Sequence, residues 1–246
     1  MPTSRETSTP TEIVPDQRIL VTGFEPFDGH AINSSWEVAR ALVGAIFPVG
    51  QHSAAAQVVG AQLPCRFGAA FNELARLMAH HRPLLVLCLG QAEGRADITL
   101  ERVAVNLRNA RIPDNGGYAP IEEPVVPEGP DTLPSALPLE DLTRDLQALG
   151  HRVSISNSAG TFVCNDLFYG LMHVLRDSTV VGGFIHLPIL PEQRRGLAER
   201  SVDRDDAPLG FGVETPAIAL TEQVAAVRAA VRLTLEAICV DARDVA

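Results

Sequence analysis

Short apolar runs closed by small residues alternate along this chain with stretches of helical spacing. Residues 18–23 (RILVTG) read as a buried strand, and residues 35–43 (SWEVARALV) have helical spacing behind a serine N-cap. The alternation recurs. Residues 57–63 suit a second strand, 67–80 a helix, and 84–89 (LLVLCL) a fully apolar strand stopped by Gly90. Residues 153–156 predict a strand, 165–175 a helix and 180–187 another strand, after which Thr215-Pro216 is expected to cap a long final helix running to about Cys239. This order predicts an α/β fold, a single-domain α/β/α sandwich with a largely parallel central sheet. Residues 113–138 and 192–212, rich in proline, glycine and charge, are too long for ordinary connections and are expected to be lids, specificity loops or subunit contacts.

Composition narrows the function. The formal charge is −10, and all twenty basic residues are arginine, so neither nucleic acid nor a membrane surface is an expected partner. No apolar stretch reaches the length of a membrane span, and residues 1–17, polar and dotted with proline, are expected to be a disordered extension. The four cysteines, Cys65, Cys88, Cys164 and Cys239, are far apart and form no CxxC pair, which argues against a zinc site and against a disulfide framework. Free thiols and a cytoplasmic location are the expectation. Gly23 and Gly29 in GFEPFDG lack the spacing of a dinucleotide-binding fingerprint.

Three segments carry candidate chemistry. In residues 156–168 (SNSAGTFVCNDLF) a strand ends, small residues turn around Gly160, and Cys164 falls at the start of the next helix. A thiol there meets unpaired backbone N–H groups and the positive end of the helix dipole, which favour the thiolate and could hold an oxyanion. A packed core cysteine is the competing reading. In residues 180–188 (VVGGFIHLP) an apolar strand delivers His186 near its C-terminal end, the edge where open α/β sheets build sites. Glu101 sits in the apolar stretch LERVAVN, where a carboxylate is costly unless paired. It either forms an ion pair with its neighbour Arg102 or accepts a hydrogen bond from the histidine and fixes its tautomer.

Taken together, VTGFEPFDGHAINSSW, GQAEGRADITLERVAVNLRNARIPDN, SNSAGTFVCNDLFYGLMH and GGFIHLPILPEQ closely resemble the pyroglutamyl-peptidase I family, in its order, from about Arg18 to Gln193. The resemblance implies a cysteine peptidase that removes an N-terminal pyroglutamyl residue through a thioester, with Glu101, Cys164 and His186 as its triad, and a catalytic domain over residues 18–246. It also implies a lactam pocket walled by Phe24, Phe27, Phe162, Val163 and Ile112, with Gln91 holding the lactam and Arg111 near the reaction centre. Small peptides with N-terminal pyroglutamate are the implied partners, in a cytoplasmic homo-oligomer, often a tetramer, that needs no metal or cofactor.

Apolar walls suit a substrate without a charged α-amine, although Phe24 and Phe27 alone would read as core aromatics. Asn33 is expected to hold its loop rather than touch substrate. Glu93 replaces a small residue and could narrow the pocket or charge its rim. Asp166 replaces what is often a histidine and would oppose a thiolate two residues away. The alternatives are another thiol amidase of the same fold, acting on a different small amide or lactam, and a peptide-binding homologue that has lost catalysis.

Overall fold

The computed structural model describes residues 15–50, 54–194 and 215–244. Among these, seven strands form one sheet: β1 (Gln17–Phe24), β2 (Ile46–Pro48), β3 (Ala55–Leu63), β4 (Leu85–Gln91), β5 (Ile98–Glu101), β8 (Val153–Ser156) and β9 (Val181–Leu187). The order is β2-β3-β1-β4-β9-β5-β8. Four of its six pairings are parallel, while β2 against β3 and β5 against β9 are antiparallel. A small ribbon of β6 (Val103–Val105) and β7 (Thr132–Pro134) stands apart.

Among the described residues, five helices cover the sheet: α1 (Ser34–Leu42), α2 (Ala69–His81), α3 (Leu139–Ala148), α4 (Val163–Leu175) and α5 (Leu220–Asp244). Strand residues alternate between two apolar clusters. Leu85, Leu87, Leu89 and Ile185 pack under α1, α3 and α5, whereas Val86, Cys88 and Phe184 pack under α2 and α4. The central strands are therefore apolar on both faces, which is why they read as continuous runs, and the sandwich expected from the sequence is the fold observed.

Local signals explain most boundaries, and pairing explains the departures. The cap of α1 is Asn33 rather than a serine: its side chain accepts from Ser35 N, and its amide donates to the Glu25 carbonyl, so Asn33 does hold its loop. Gly23 lets that helix approach β1, because a methyl there would lie 2.4 Å from the Ser35 backbone. The last helix begins at Leu220 and not at Thr215-Pro216, since Ala217 bridges Ile189 and Ile218 N donates to the Ile189 carbonyl. That pairing keeps the chain extended past the proline. Residues 113–138 pack as a loop that includes β7, and the second long stretch lies outside the described residues from 195 to 212.

Candidate active site

Register alone brings two of the three candidate triad residues together. Thr99 of β5 lies opposite His186 of β9, so Glu101, two residues on, shares the face of His186 as its diagonal neighbour, within reach of a long side chain. The contact is made: His186 Nδ1 lies 2.8 Å from Glu101 Oε1. A carboxylate only accepts, so Nδ1 carries the proton and Nε2 is left with the lone pair.

Glu101 is fully buried, and burial opposes its ionisation. The His186 hydrogen bond and the charges of His186 and Arg95 outweigh that cost and lower its pKa. The arginine is not Arg102, which turns away to Asn157 and Glu140. Arg95 donates to the same Oε1 at 2.6 Å, to Thr99 Oγ1, and to the Ser158 carbonyl at 2.9 Å. It thereby ties the carboxylate strand to the loop that precedes the thiol. No periodic pattern marks Arg95 in the sequence, because it lies in the turn before β5.

Cys164 lies in the first turn of α4, which packs along β9 in the opposite direction. A methyl on Gly182 would lie 2.6 Å from Leu175 Cδ1 and 3.4 Å from Leu171 Cδ2, and the Phe168 and Phe184 rings are 5.7 Å apart. Cys164, Phe168, Leu171 and Leu175 share one helix face. From the Leu171–Leu175 turn to Cys164 the helix climbs about 13 Å at its rise per residue, and Gly182 to His186 also spans about 13 Å of strand. The end of α4 that carries Cys164 is thereby brought to the His186 end of β9. Room for that imidazole comes from Gly90, its register partner: a methyl there would lie 2.9 Å from His186 Cδ2 and 2.7 Å from Phe184 Cζ.

The start of α4 is held from several sides. Asn165, buried, pairs with both the N–H and the carbonyl of Val105 and donates to the Leu107 carbonyl. Asp166 accepts from Arg108 Nε at 2.6 Å and from Gly68 N at 2.8 Å. The anion expected to oppose the thiolate is thus spent on an arginine and a backbone amide, and it is not among the groups that shift Cys164. The first N–H groups of α4 have no partner within the helix.

Electrostatics nonetheless favour a neutral pair. Burial pushes the Cys164 thiol up to about 12, helped by the Glu101 charge and partly offset by Arg95. Burial likewise lowers the pKa of His186, and the pull of Glu101 does not restore it. The helix terminus expected to favour the thiolate is outweighed by desolvation. Among the described residues, no three His, Cys, Asp or Glu side chains cluster as metal ligands.

Beside these residues opens a cavity of about 310 Å³ lined by Phe27, Gln91, Arg111, Ile112 and Phe162, together with Asp28, His30, Glu93, Asn109 and Thr161. Phe27 and Phe162 stand 6.2 Å apart, and Phe67 meets Phe162 edge-on at 5.3 Å. Phe24 and Val163 do not line it. Both are buried in the core under α2 and α4, and Phe24 packs against Phe184. Glu93 does stand at the rim, 44% exposed, with its carboxylate 3.5 Å from His30 Nε2.

An imidazole held by a carboxylate at a strand end, a cysteine at the start of the facing helix and a cavity walled in part by aromatic rings, on an α/β/α sandwich, suit a cysteine hydrolase. Comparison with known proteins gives the family. The pyroglutamyl peptidase profile matches residues 17–237. The pyrrolidone-carboxylate peptidase of Cupriavidus taiwanensis is 49% identical over 178 residues, covering 71% of this chain and 80% of that one. That of Yersinia pestis is 44% identical over 194 residues, covering 78% and 84%. Among solved structures, pyroglutamyl peptidase I of Bacillus amyloliquefaciens superposes with a TM-score of 0.76 at 36% identity, covering 90% of this chain and 98% of its own. The Thermococcus litoralis pyrrolidone carboxyl peptidase gives 0.80 at 32% identity, covering 92% and 96%. This chain belongs to the pyroglutamyl peptidase family.

Proposed function

We propose that this chain removes N-terminal pyroglutamyl residues from small peptides, with Cys164 as nucleophile, His186 as general base and then acid, and Glu101 as the group that orients and charges the pair. The carrying observation is the 2.8 Å contact between His186 Nδ1 and Glu101 Oε1, which frees Nε2 for the thiol. Because both partners are neutral before substrate arrives, attack of Sγ on the pyroglutamyl carbonyl goes with transfer of the thiol proton to Nε2. The buried Glu101 carboxylate stabilises the imidazolium as it forms, and the N–H groups at the start of α4 receive the oxyanion. The imidazolium gives its proton to the departing amine as the C–N bond breaks. Water, deprotonated by His186, then cleaves the thioester and restores the thiol.

Specificity follows from the cavity: Phe27, Phe162 and Ile112 flank the lactam ring, Gln91 hydrogen-bonds it, and exposed Arg111 stands at the mouth. An uncharged lactam ring loses little hydration on packing against Phe27, Phe162 and Ile112, the part of the lining that carries no charge. Phe24 and Val163 support these walls from the core behind them. We further propose a catalytic domain over residues 18–246, a cytoplasmic location and a homo-oligomeric state. Exposed apolar Ile46 on the edge strand β2 and Val240 on α5 support the last. Among the described residues, no helix is long and apolar enough to cross a membrane.

The test is hydrolysis of a pyroglutamyl-coumarin amide beside its free-amine glutamyl and prolyl analogues, before and after thiol alkylation. Turnover of the first alone, lost on alkylation, supports the proposal. Equal turnover of all three, or activity that survives complete alkylation, contradicts it.

A further inference from the structure

A second glutamine stands behind the first. Gln193, only 6% exposed, follows Pro188, Ile189 and Leu190 at the end of the chain leaving β9, and none of its sequence neighbours marks it as functional. Its Oε1 accepts from the Leu190 backbone N–H at 2.8 Å, while its Nε2 donates to the Ile32 carbonyl at 3.1 Å and to Gln91 Oε1 at 2.9 Å. The same Gln91 oxygen accepts from the Ser34 backbone N–H at 2.8 Å.

These four contacts leave no freedom in which way either amide points. A backbone N–H can only donate and a backbone carbonyl can only accept, so Leu190 and Ile32 between them settle which end of Gln193 is oxygen and which is nitrogen. Ser34 fixes the oxygen of Gln91 in the same way, and Gln193 adds a second donor to it. With two donors on Oε1, the Nε2 of Gln91 is turned away from the protein scaffold. Gln91 lines the cavity, and among the described residues nothing accepts from its Nε2. A flipped Gln91 would set its nitrogen against the Ser34 N–H and the Gln193 NH₂, donor against donor, and would present an acceptor to the cavity instead.

We propose that Gln193 is a positioning residue that locks the Gln91 amide with its NH₂ toward the cavity, so that the site recognises a lactam by its carbonyl oxygen rather than by its N–H. This rests on the reading of the cavity as the lactam pocket. It assigns the polarity of that recognition and places the cause one residue further back, outside the cavity wall. The selectivity then depends on two linked side-chain amides, Gln91 and Gln193, each anchored to backbone groups.

The substitution Gln193→Glu keeps an oxygen for Leu190 N but turns the second carboxylate oxygen on the Ile32 carbonyl and on Gln91 Oε1. The strain is relieved if Gln91 flips, which reverses the polarity of the pocket. Steady-state kinetics on a pyroglutamyl-coumarin amide should then show KM raised about 10- to 100-fold, the range for a buried hydrogen bond replaced by an unpaired or opposed group. The inhibition constant of 2-pyrrolidone should rise in parallel, while kcat and the rate of iodoacetamide inactivation stay within about threefold, as for an interaction that acts on ground-state binding. Gln193→Met, which merely removes the second donor, should raise KM by a smaller factor and stands in if the glutamate variant does not fold.

The two readings separate in a double-mutant cycle. If Gln91→Met leaves KM and 2-pyrrolidone binding unchanged, the pocket assignment and the proposal both fall. If Gln91→Met weakens binding but Gln193→Glu and Gln193→Met do not, the pocket stands and the lock is overturned. In the Gln91→Met background the Gln193 substitutions should have no further effect on KM. Effects that simply add would contradict a role exerted through Gln91.

Discussion

Replacing Gly90 with alanine tests the placement of the imidazole without touching a chemical group. Gly90 has an ordinary strand backbone and no positive φ, so alanine is compatible with its conformation and the perturbation is purely steric. The added methyl would lie 2.7 and 2.8 Å from Phe184 Cζ and Cε1 and 2.9 Å from His186 Cδ2, all closer than side chains tolerate. Cδ2 adjoins Nε2, and the opposite edge of the ring is held by Glu101 at 2.8 Å, so the displacement falls on Nε2, the nitrogen proposed to act as base. Overpacking of this kind costs about 1–3 kcal/mol. At about 2–4 °C per kcal/mol for a domain of this size, Tm should fall measurably while the protein stays folded. A shift of about 1 Å at a reacting atom costs on the order of 10²-fold in rate. Melting curves and kcat on the same preparation, for wild type and Gly90→Ala, are the assay. A variant with unchanged kcat and Tm would mean that the imidazole does not lie against Gly90.

Other expectations follow from the same contacts. Glu101→Gln preserves shape and removes charge, and kcat should drop by about 10³- to 10⁴-fold, as when triads lose their carboxylate; a destabilised but fully active variant would reduce the site to a Cys–His dyad. Arg95→Met leaves buried Glu101 without its cation and should cost about 2–4 kcal/mol by denaturant titration, somewhat less than the roughly 3–5 kcal/mol of a broken buried pair because Arg95 is itself partly exposed; unchanged stability would deny Arg95 that role. The acid limb of kcat/KM should lie below pH 6.5, because burial lowers the His186 pKa and the neutral base persists to lower pH. No thiol inflection should appear near 9, since Cys164 is pushed up to about 12; an inflection there would mean the thiol is not desolvated. Cys65→Ala and Cys88→Ala should keep activity and neither native thiol should alkylate readily, because burial raises both; inactivation in step with labelling of either would contradict this.

The apolar strands and the two-sided sheet were legible because a strand buried on both faces leaves an unbroken run, as 84–89 does. The short strands β2 and β5 were not, because three or four residues carry too little period to distinguish a ladder from a loop. Cys164, His186 and Glu101 stood out individually by position: a thiol at a helix start, a histidine at a strand end, and an acid in an apolar run. Their meeting depends on β5 lying antiparallel to β9 and on the register between α4 and β9, which are long-range properties. The roles of Arg95 and Gln193 are not legible in the sequence for the same reason. Arg95 lies in a turn and Gln193 after a proline-dotted segment, and only the fold brings them against Glu101 and Gln91. Asp166 was legible as a charge but not as a partner, since Arg108 and Gly68 approach it from distant parts of the chain.

The central claim is that Cys164 attacks the pyroglutamyl carbonyl. A chloromethyl ketone of pyroglutamate carries the same ring into the cavity and alkylates whichever nucleophile lies at the carbonyl position. Peptide mapping by mass spectrometry, timed against residual activity, should find one equivalent incorporated on Cys164 in proportion to the activity lost, with 2-pyrrolidone slowing both. Labelling of another residue in step with inactivation, or full activity after Cys164 is modified, would contradict the account.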